Sequence, residues 1–180
     1  MRFFPIIFFA IVVSGAYAAP HPESGDSRGG KCLTQPAVKE ITDNYAQVIG
    51  NYTEALADKF IADDFTDTSD SINVLAQQPL GSATFPSKAA FKAGQSQLPK
   101  IPLVVKSVNA VTCDTIVLRW TQTFGNPAQP AQGISILVNA FESNKGEKEK
   151  GWKLKTLYTE FNSLTYFTNT GGSCTPPPYA

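Results

Sequence analysis

Four stretches between Leu103 and Phe161 alternate apolar and polar residues, and they dictate a sheet before anything else is known of the chain. They cover residues 103–113, 115–124, 133–142 and 152–161. Alternation at period two turns one face of each strand toward a core and the other toward water. In residues 115–124, Ile116, Leu118 and Trp120 share the inward face. The joining segments, 125–132 and 143–151, hold the turn residues, and 144–150 is a charged stretch that suits a solvated hairpin tip. Upstream the period changes. Val38, Ile41, Tyr45 and Val48 recur at helical spacing, with Thr34 placed as a cap, Pro36 in the first turn and Gly50 after the last of them. A second helix is expected over 52–62 on Tyr52, Leu56 and Phe60. Residues 63–69 return to alternation, residues 70–86 are expected to be irregular around Pro79-Leu80-Gly81 and Phe85-Pro86, and 87–97 form a third helix ended by Pro99 and Pro102. Helices followed by a run of antiparallel strands make an α+β domain, in which a bent sheet wraps the first helix. No internal repeat is present.

The first 18 residues address the compartment. Met1-Arg2 is basic, residues 3–13 are apolar apart from Pro5, and Ala16-Tyr17-Ala18 supplies the small residues of a cleavage site. This pattern predicts a secretory signal rather than a span, because a bilayer takes about 20 apolar residues. Residues 19–31 are then a flexible leader, residues 32–168 the domain, and residues 169–180 a Pro-rich tail carrying Cys174. Fifteen basic and fifteen acidic residues leave no excess charge for phosphates, so nucleic acid is not an expected partner. No membrane partner is expected after cleavage. Three cysteines allow three pairings. Cys32 with Cys174, which ties down both ends, is the expected disulfide, with Cys113 as the alternative partner. The one histidine, His21, lies in the leader, so no His-based triad or metal site belongs to the domain, and no CxxC spacing exists. No metal and no cofactor are expected.

The candidate chemistry rests on few groups. Glu160 lies two residues past Tyr158 on the last strand. If Trp152, Leu154, Thr156, Tyr158 and Glu160 share one face, the carboxylate points inward, where desolvation raises its pKa and fits it for proton transfer. The competing reading makes Glu160 a structural partner for a backbone donor or for Lys88. Phe65, Trp120, Trp152 and Tyr158 fall on expected inward faces and suit a flat apolar ligand, although such rings also simply build cores. Asn51-Tyr52-Thr53 is a glycosylation sequon at a helix junction, where Asn51 is alternatively a helix cap.

Several blocks together resemble the nuclear transport factor 2-like superfamily, in a branch of secreted fungal proteins. They are Cys32-Leu33-Thr34, residues 62–73 (ADDFTDTSDSIN), Pro79-Leu80-Gly81-Ser82, residues 84–91 (TFPSKAAF) and residues 158–163 (YTEFNS). The resemblance implies a cone-shaped α+β fold that hosts ketosteroid isomerases, scytalone dehydratases and SnoaL-like cyclases, as well as binders and dimer modules. The dehydratase branch relies on pocket histidines that this domain lacks. In the isomerase branch, Ala-Asp-Asp at the end of helix two matches Ala62-Asp63-Asp64. Its oxyanion-donating tyrosine then falls on Tyr45, and its general-base aspartate falls on Ser69, which cannot serve as a base at neutral pH. Asp67 lies on the same strand face as Ser69, whereas Asp70 points the other way. Three functions follow as expectations: a secreted binder of a small apolar molecule; a cofactor-free isomerase, cyclase or dehydratase using Tyr45 with Asp67 or Glu160; and an interaction module. The last would form a homodimer through a convex patch of Leu137, Phe141, Leu157 and Phe161.

Overall fold

The computed structural model describes residues 31–142 and 151–175. The signal segment, the leader with His21, the tip at 144–150 and Pro176 to Pro178 lie outside the described residues.

Capping hydroxyls start each of the helices α1 to α4. Thr34 accepts from the Ala37 N–H and opens α1 (Gln35–Gly50), which buries Val38, Ile41, Tyr45 and Val48. Thr53 opens α2 (Glu54–Phe60) and leads directly into β1 (Ile61–Thr68). Ser69 then opens α3 (Asp70–Leu75), where an irregular segment is expected from sequence. Six residues are too few to show a helical period, and this helix is made by its caps. Ser87 opens α4 (Lys88–Gln95). The four strands follow as β2 (Leu103–Val111), β3 (Thr115–Gly125), β4 (Ala128–Glu142) and β5 (Gly151–Phe161), and α5 (Ser163–Asn169) closes the chain of elements.

The five strands form one curved, unclosed sheet in the order β1-β5-β4-β3-β2. Neighbours are antiparallel except β1 and β5, which run parallel. The β3–β4 pairing continues to Gly125 opposite Ala128, so the expected loop at 125–132 is only a tight turn. The longer hairpin carries α5, because the Asn169 side chain donates to the Gln129 carbonyl at 2.8 Å.

The concave face closes on α1. Tyr45, Phe60, Phe65, Phe91, Ile116, Leu118, Leu137, Leu154 and Leu157 are all fully buried there. Each such side chain stabilises the fold by roughly 1.5–3 kcal/mol, against about 1 kcal/mol for a typical cap.

One irregularity reassigns half of β5. Val138 pairs with Thr156 but Asn139 pairs with Leu154, so Lys155 is an extra residue in β5. A bulge of one residue reverses which side chains face the core. Leu154 points inward, and beyond the bulge it is Leu157, Thr159 and Phe161 that do so. Tyr158 and Glu160, expected inside, therefore lie on the outer face. The expected convex patch fails as well, through the bulge for Leu157 and through the unbroken inward alternation of β4 for Leu137. Leu137 and Leu157 belong to the core, and the outer face exposes Ile134, Ile136 and Tyr158 instead.

The disulfide joins Cys32 to Cys113, and Cys174 is free and exposed. This replaces the expected Cys32–Cys174 pairing with the alternative one. Leu33 donates its N–H to the Cys113 carbonyl at 2.8 Å, so the chain entering α1 is already pinned beside the β2–β3 turn, and that proximity selects the pair. No helix among the described residues is long and apolar enough to cross a membrane.

Candidate functional site

Between α1, the ends of α3 and α4, α5 and the concave sheet lies a cavity of about 270 Å³. This is just below the usual range for ligand sites, about 300–1,000 Å³, and suits a small molecule. Its walls are mainly apolar, with Ile72 and Leu75 from α3, Leu98, Pro99 and Ile101 from the segment after α4, and Tyr166 from α5.

Asp67 reaches this cavity from β1. Its backbone is fixed on both sides: the N–H donates to the Phe85 carbonyl at 2.9 Å, and the carbonyl accepts from Thr84 and Phe85. The side chain is only 2 % exposed, and Oδ1 has no hydrogen-bond partner. Burial pushes its carboxyl up to about 7. The Thr68 amide opposes that rise and the Glu160 charge adds to it.

A second polar group faces Asp67's side of the cavity. The Trp120 indole N–H donates to Ser135 Oγ at 2.9 Å, and Ser135 Oγ lies 2.7 Å from both Tyr45 Oη and Thr159 Oγ1. An indole N–H only donates, so it fills one of the two serine lone pairs. The remaining lone pair and the single serine hydrogen must serve the two other hydroxyls, one each. One of Tyr45 and Thr159 therefore donates to Ser135, and the other accepts from it and does not spend its own hydrogen there. Tyr45 and Thr159 both line the cavity, so the O–H that Ser135 does not use is the cluster's reserve on that wall. Desolvation holds the Tyr45 phenol neutral, pushed up to about 12. Gly133 makes the arrangement possible: a Cβ there would stand 2.3 Å from the Trp120 ring, so only glycine lets the indole lie across β4.

Of the residues singled out from sequence, the fold brings Tyr45, Asp67 and Trp120 together on this cavity. Phe65 sits behind it, edge-on to Phe91 at 5.2 Å. Trp152 lies elsewhere, edge-on to Phe141 at 5.5 Å in an outer groove with Lys31, Lys59 and Lys153. Tyr158 is on the outer face. Glu160 does not reach the cavity either, because its carboxylate accepts from the N–H groups of Asp70 and Ser71 at 2.8 and 2.9 Å and from the Ser71 hydroxyl. It caps α3 from outside, the backbone-partner role. Ser69 is the buried cap of the same helix, and Asp70 accepts from the Gly81 N–H at 2.6 Å. Asn51 is exposed between α1 and α2.

Sequence reasoning missed Ser135, Thr159, Phe85, Gln95, Gln122 and Tyr166, all of which line the cavity or hold its walls. Ser135 left a readable signal, a lone hydroxyl on the buried face of a strand between Gly133 and Leu137. Thr159 was hidden by the β5 bulge. A wider depression of about 680 Å³ beside α2 and α4 is lined by charges that already satisfy one another. Lys92 pairs with Asp58 at 2.6 Å and Glu54 at 2.9 Å, and Lys88 pairs with Asp63 at 3.1 Å. Among the described residues no cluster of acidic, histidine or cysteine side chains could hold a metal.

The fold has solved counterparts. A candidate polyketide cyclase of Bacillus cereus superposes with a TM-score of 0.53 at 16% identity, over 77% of this chain and 85% of its own. A hypothetical protein of Catenulispora acidiphila with a ketosteroid isomerase-like fold, solved in complex with trimethylamine, gives 0.52 at 13% identity, over 76% and 98%. TsrD of Streptomyces laurentii gives 0.51 at 12%, over 77% and 98%. At these identities the likeness is one of fold alone. No curated protein sequence matches. The NTF2-like domain model matches residues 31–173, a stretch that holds the whole sheet, the cavity and all five helices, and the chain belongs to that family.

Proposed function

We propose that this is a secreted protein that binds a small, mostly apolar molecule in its cone cavity, anchored at one polar point, Asp67. The observation that carries the reading is a cavity of about 270 Å³ walled by apolar and aromatic side chains, with a buried carboxylate oxygen left unpaired inside it. A buried acceptor without a partner costs about 1–3 kcal/mol, more when charged, and a ligand donor removes that cost. Trp120 in the wall supplies the readout. In a Trp152→Phe background, 2-naphthol is expected to quench the remaining tryptophan saturably. Ala76→Phe, which fills the mouth without adding a tryptophan, is expected to abolish the effect. Unsaturable quenching that survives Ala76→Phe rules the reading out.

A second reading is acid–base chemistry without a cofactor, favoured by the pairing of Asp67, near neutral pKa, with the reserve O–H of the Tyr45–Ser135–Thr159 cluster. Asp67 would take a proton from carbon while the hydroxyl donates to the oxygen on which charge develops. Deuterium exchange into the α-position of cyclohexanone in heavy water is the check. The reading requires a rate above buffer that rises with an apparent pKa near 7 and vanishes in Asp67→Asn. Exchange at the buffer rate ends it.

A further inference from the structure

We infer that the ligand of this cavity is a small protonated amine, whose N–H donates to Asp67 Oδ1 and whose hydrocarbon part lies among Phe85, Trp120, Phe161 and Tyr166. The inference rests on the cavity being a ligand site, and it names the ligand's chemistry. Three observations carry it.

The first is the orphan. Oδ1 of Asp67 is buried without a hydrogen-bond partner on a side chain whose residue is 2 % exposed, and a carboxylate oxygen can only be satisfied by a donor. The second is charge. Among the residues lining the cavity the titratable groups are Asp67, Tyr45 from α1 and Tyr166 from α5. From β5, Glu160 adds a negative charge at Asp67. No Lys, Arg or His lines the cavity, and the nearest lysines of α4, Lys88 and Lys92, are committed to Asp63, Asp58 and Glu54 outside it. An anionic ligand would meet the Asp67 carboxylate, the added field of Glu160 and no cation. A neutral ligand would leave the ionised carboxylate uncompensated. An ammonium compensates it and makes the stronger, charge-assisted hydrogen bond. The third is the wall. Phe161 stands beside Trp120 at 5.8 Å and beside Tyr166 at 5.3 Å, so aromatic rings border the space in front of the carboxylate. Aromatic faces attract a desolvated cation while still accepting its hydrocarbon.

The pH dependence has a definite sign. The amine stays protonated below about pH 10, so its binding follows ionisation of Asp67 and strengthens as pH rises through about 7. The same ligand pulls the carboxyl pKa back down, so binding near pH 7 releases a proton.

Calorimetric titration with cyclohexylamine and with cyclohexanol, its near-isosteric neutral counterpart, tests the inference at pH 5.5 and pH 8. The expected result at pH 8 is at least tenfold tighter binding of the amine, with most of that preference lost at pH 5.5. Asp67→Asn, checked for folding by circular dichroism, is expected to bind the amine no more tightly than cyclohexanol at pH 8. Binding of cyclohexanol as tight as the amine at pH 8 overturns the inference and leaves the cavity reading standing. Failure of both probes to bind overturns the two together.

Discussion

At the scale of a residue, Asp67 is where stability and function part company. Its carboxyl is raised from 3.8 to about 7 by burial, so between those values the folded state holds a proton that the unfolded chain has lost. Stability is then full below about pH 4, falls as pH rises toward 7, and stays reduced above it. The penalty is on the order of 4 kcal/mol at pH 8. Asp67→Asn removes the charge and keeps the shape. Thermal melts are therefore expected to show the variant several degrees more stable than the parent at pH 8, with the gap closing by pH 4. A variant less stable than the parent at pH 8 would mean that Asp67 is satisfied in the fold. A residue kept at that cost fits a ligand site better than a core position. Sequence could place Asp67 on an inward face, since alternation along residues 63–69 says so. It could not show that Oδ1 has no partner, because that depends on how the segment holding Thr84 and Phe85, and Thr159 of β5, pack around it.

At the scale of elements, what was legible followed from periodicity, and what was not followed from interruptions of it. The apolar stripe of α1 and the four strands all appear, because each repeats its pattern over many residues. The bulge at Lys155 is a single inserted residue with no composition of its own. Its effect on β5 is large: Glu160 leaves the cavity for the N-terminus of α3, and Thr159 enters to complete the hydroxyl cluster. The two elements absent from the sequence reading, α3 and α5, are six and seven residues long. Neither buries a continuous stripe. Each is instead held by polar contacts from distant strands, α3 by Glu160 of β5 and α5 by the Gln129 carbonyl of β4. These two short helices supply Ile72, Leu75 and Tyr166 to the cavity, so the sequence disclosed the floor of the site and little of its rim.

At the scale of the whole molecule, the Cys32–Cys113 bridge closes a loop of 81 residues, from the entry of α1 to the β2–β3 turn. Chain-entropy arithmetic for such a loop gives about 4.5 kcal/mol. Reduction with a phosphine is expected to lower the melting temperature by about 10 °C, and Cys32→Ala to do the same, whereas Cys174→Ala is expected to leave it unchanged. A melt insensitive to reduction would show that the bridge does not hold the fold. Such a bridge also has consequences for handling. It sits in the turn just before β3, while Trp120 and Gln122 in the cavity wall lie seven and nine residues further along, roughly 25 Å away at strand rise. A tether attached ahead of Cys32 is thus anchored at the far end of that strand from the binding chamber, and a protein immobilised through its leading end keeps its chamber accessible to whatever diffuses past.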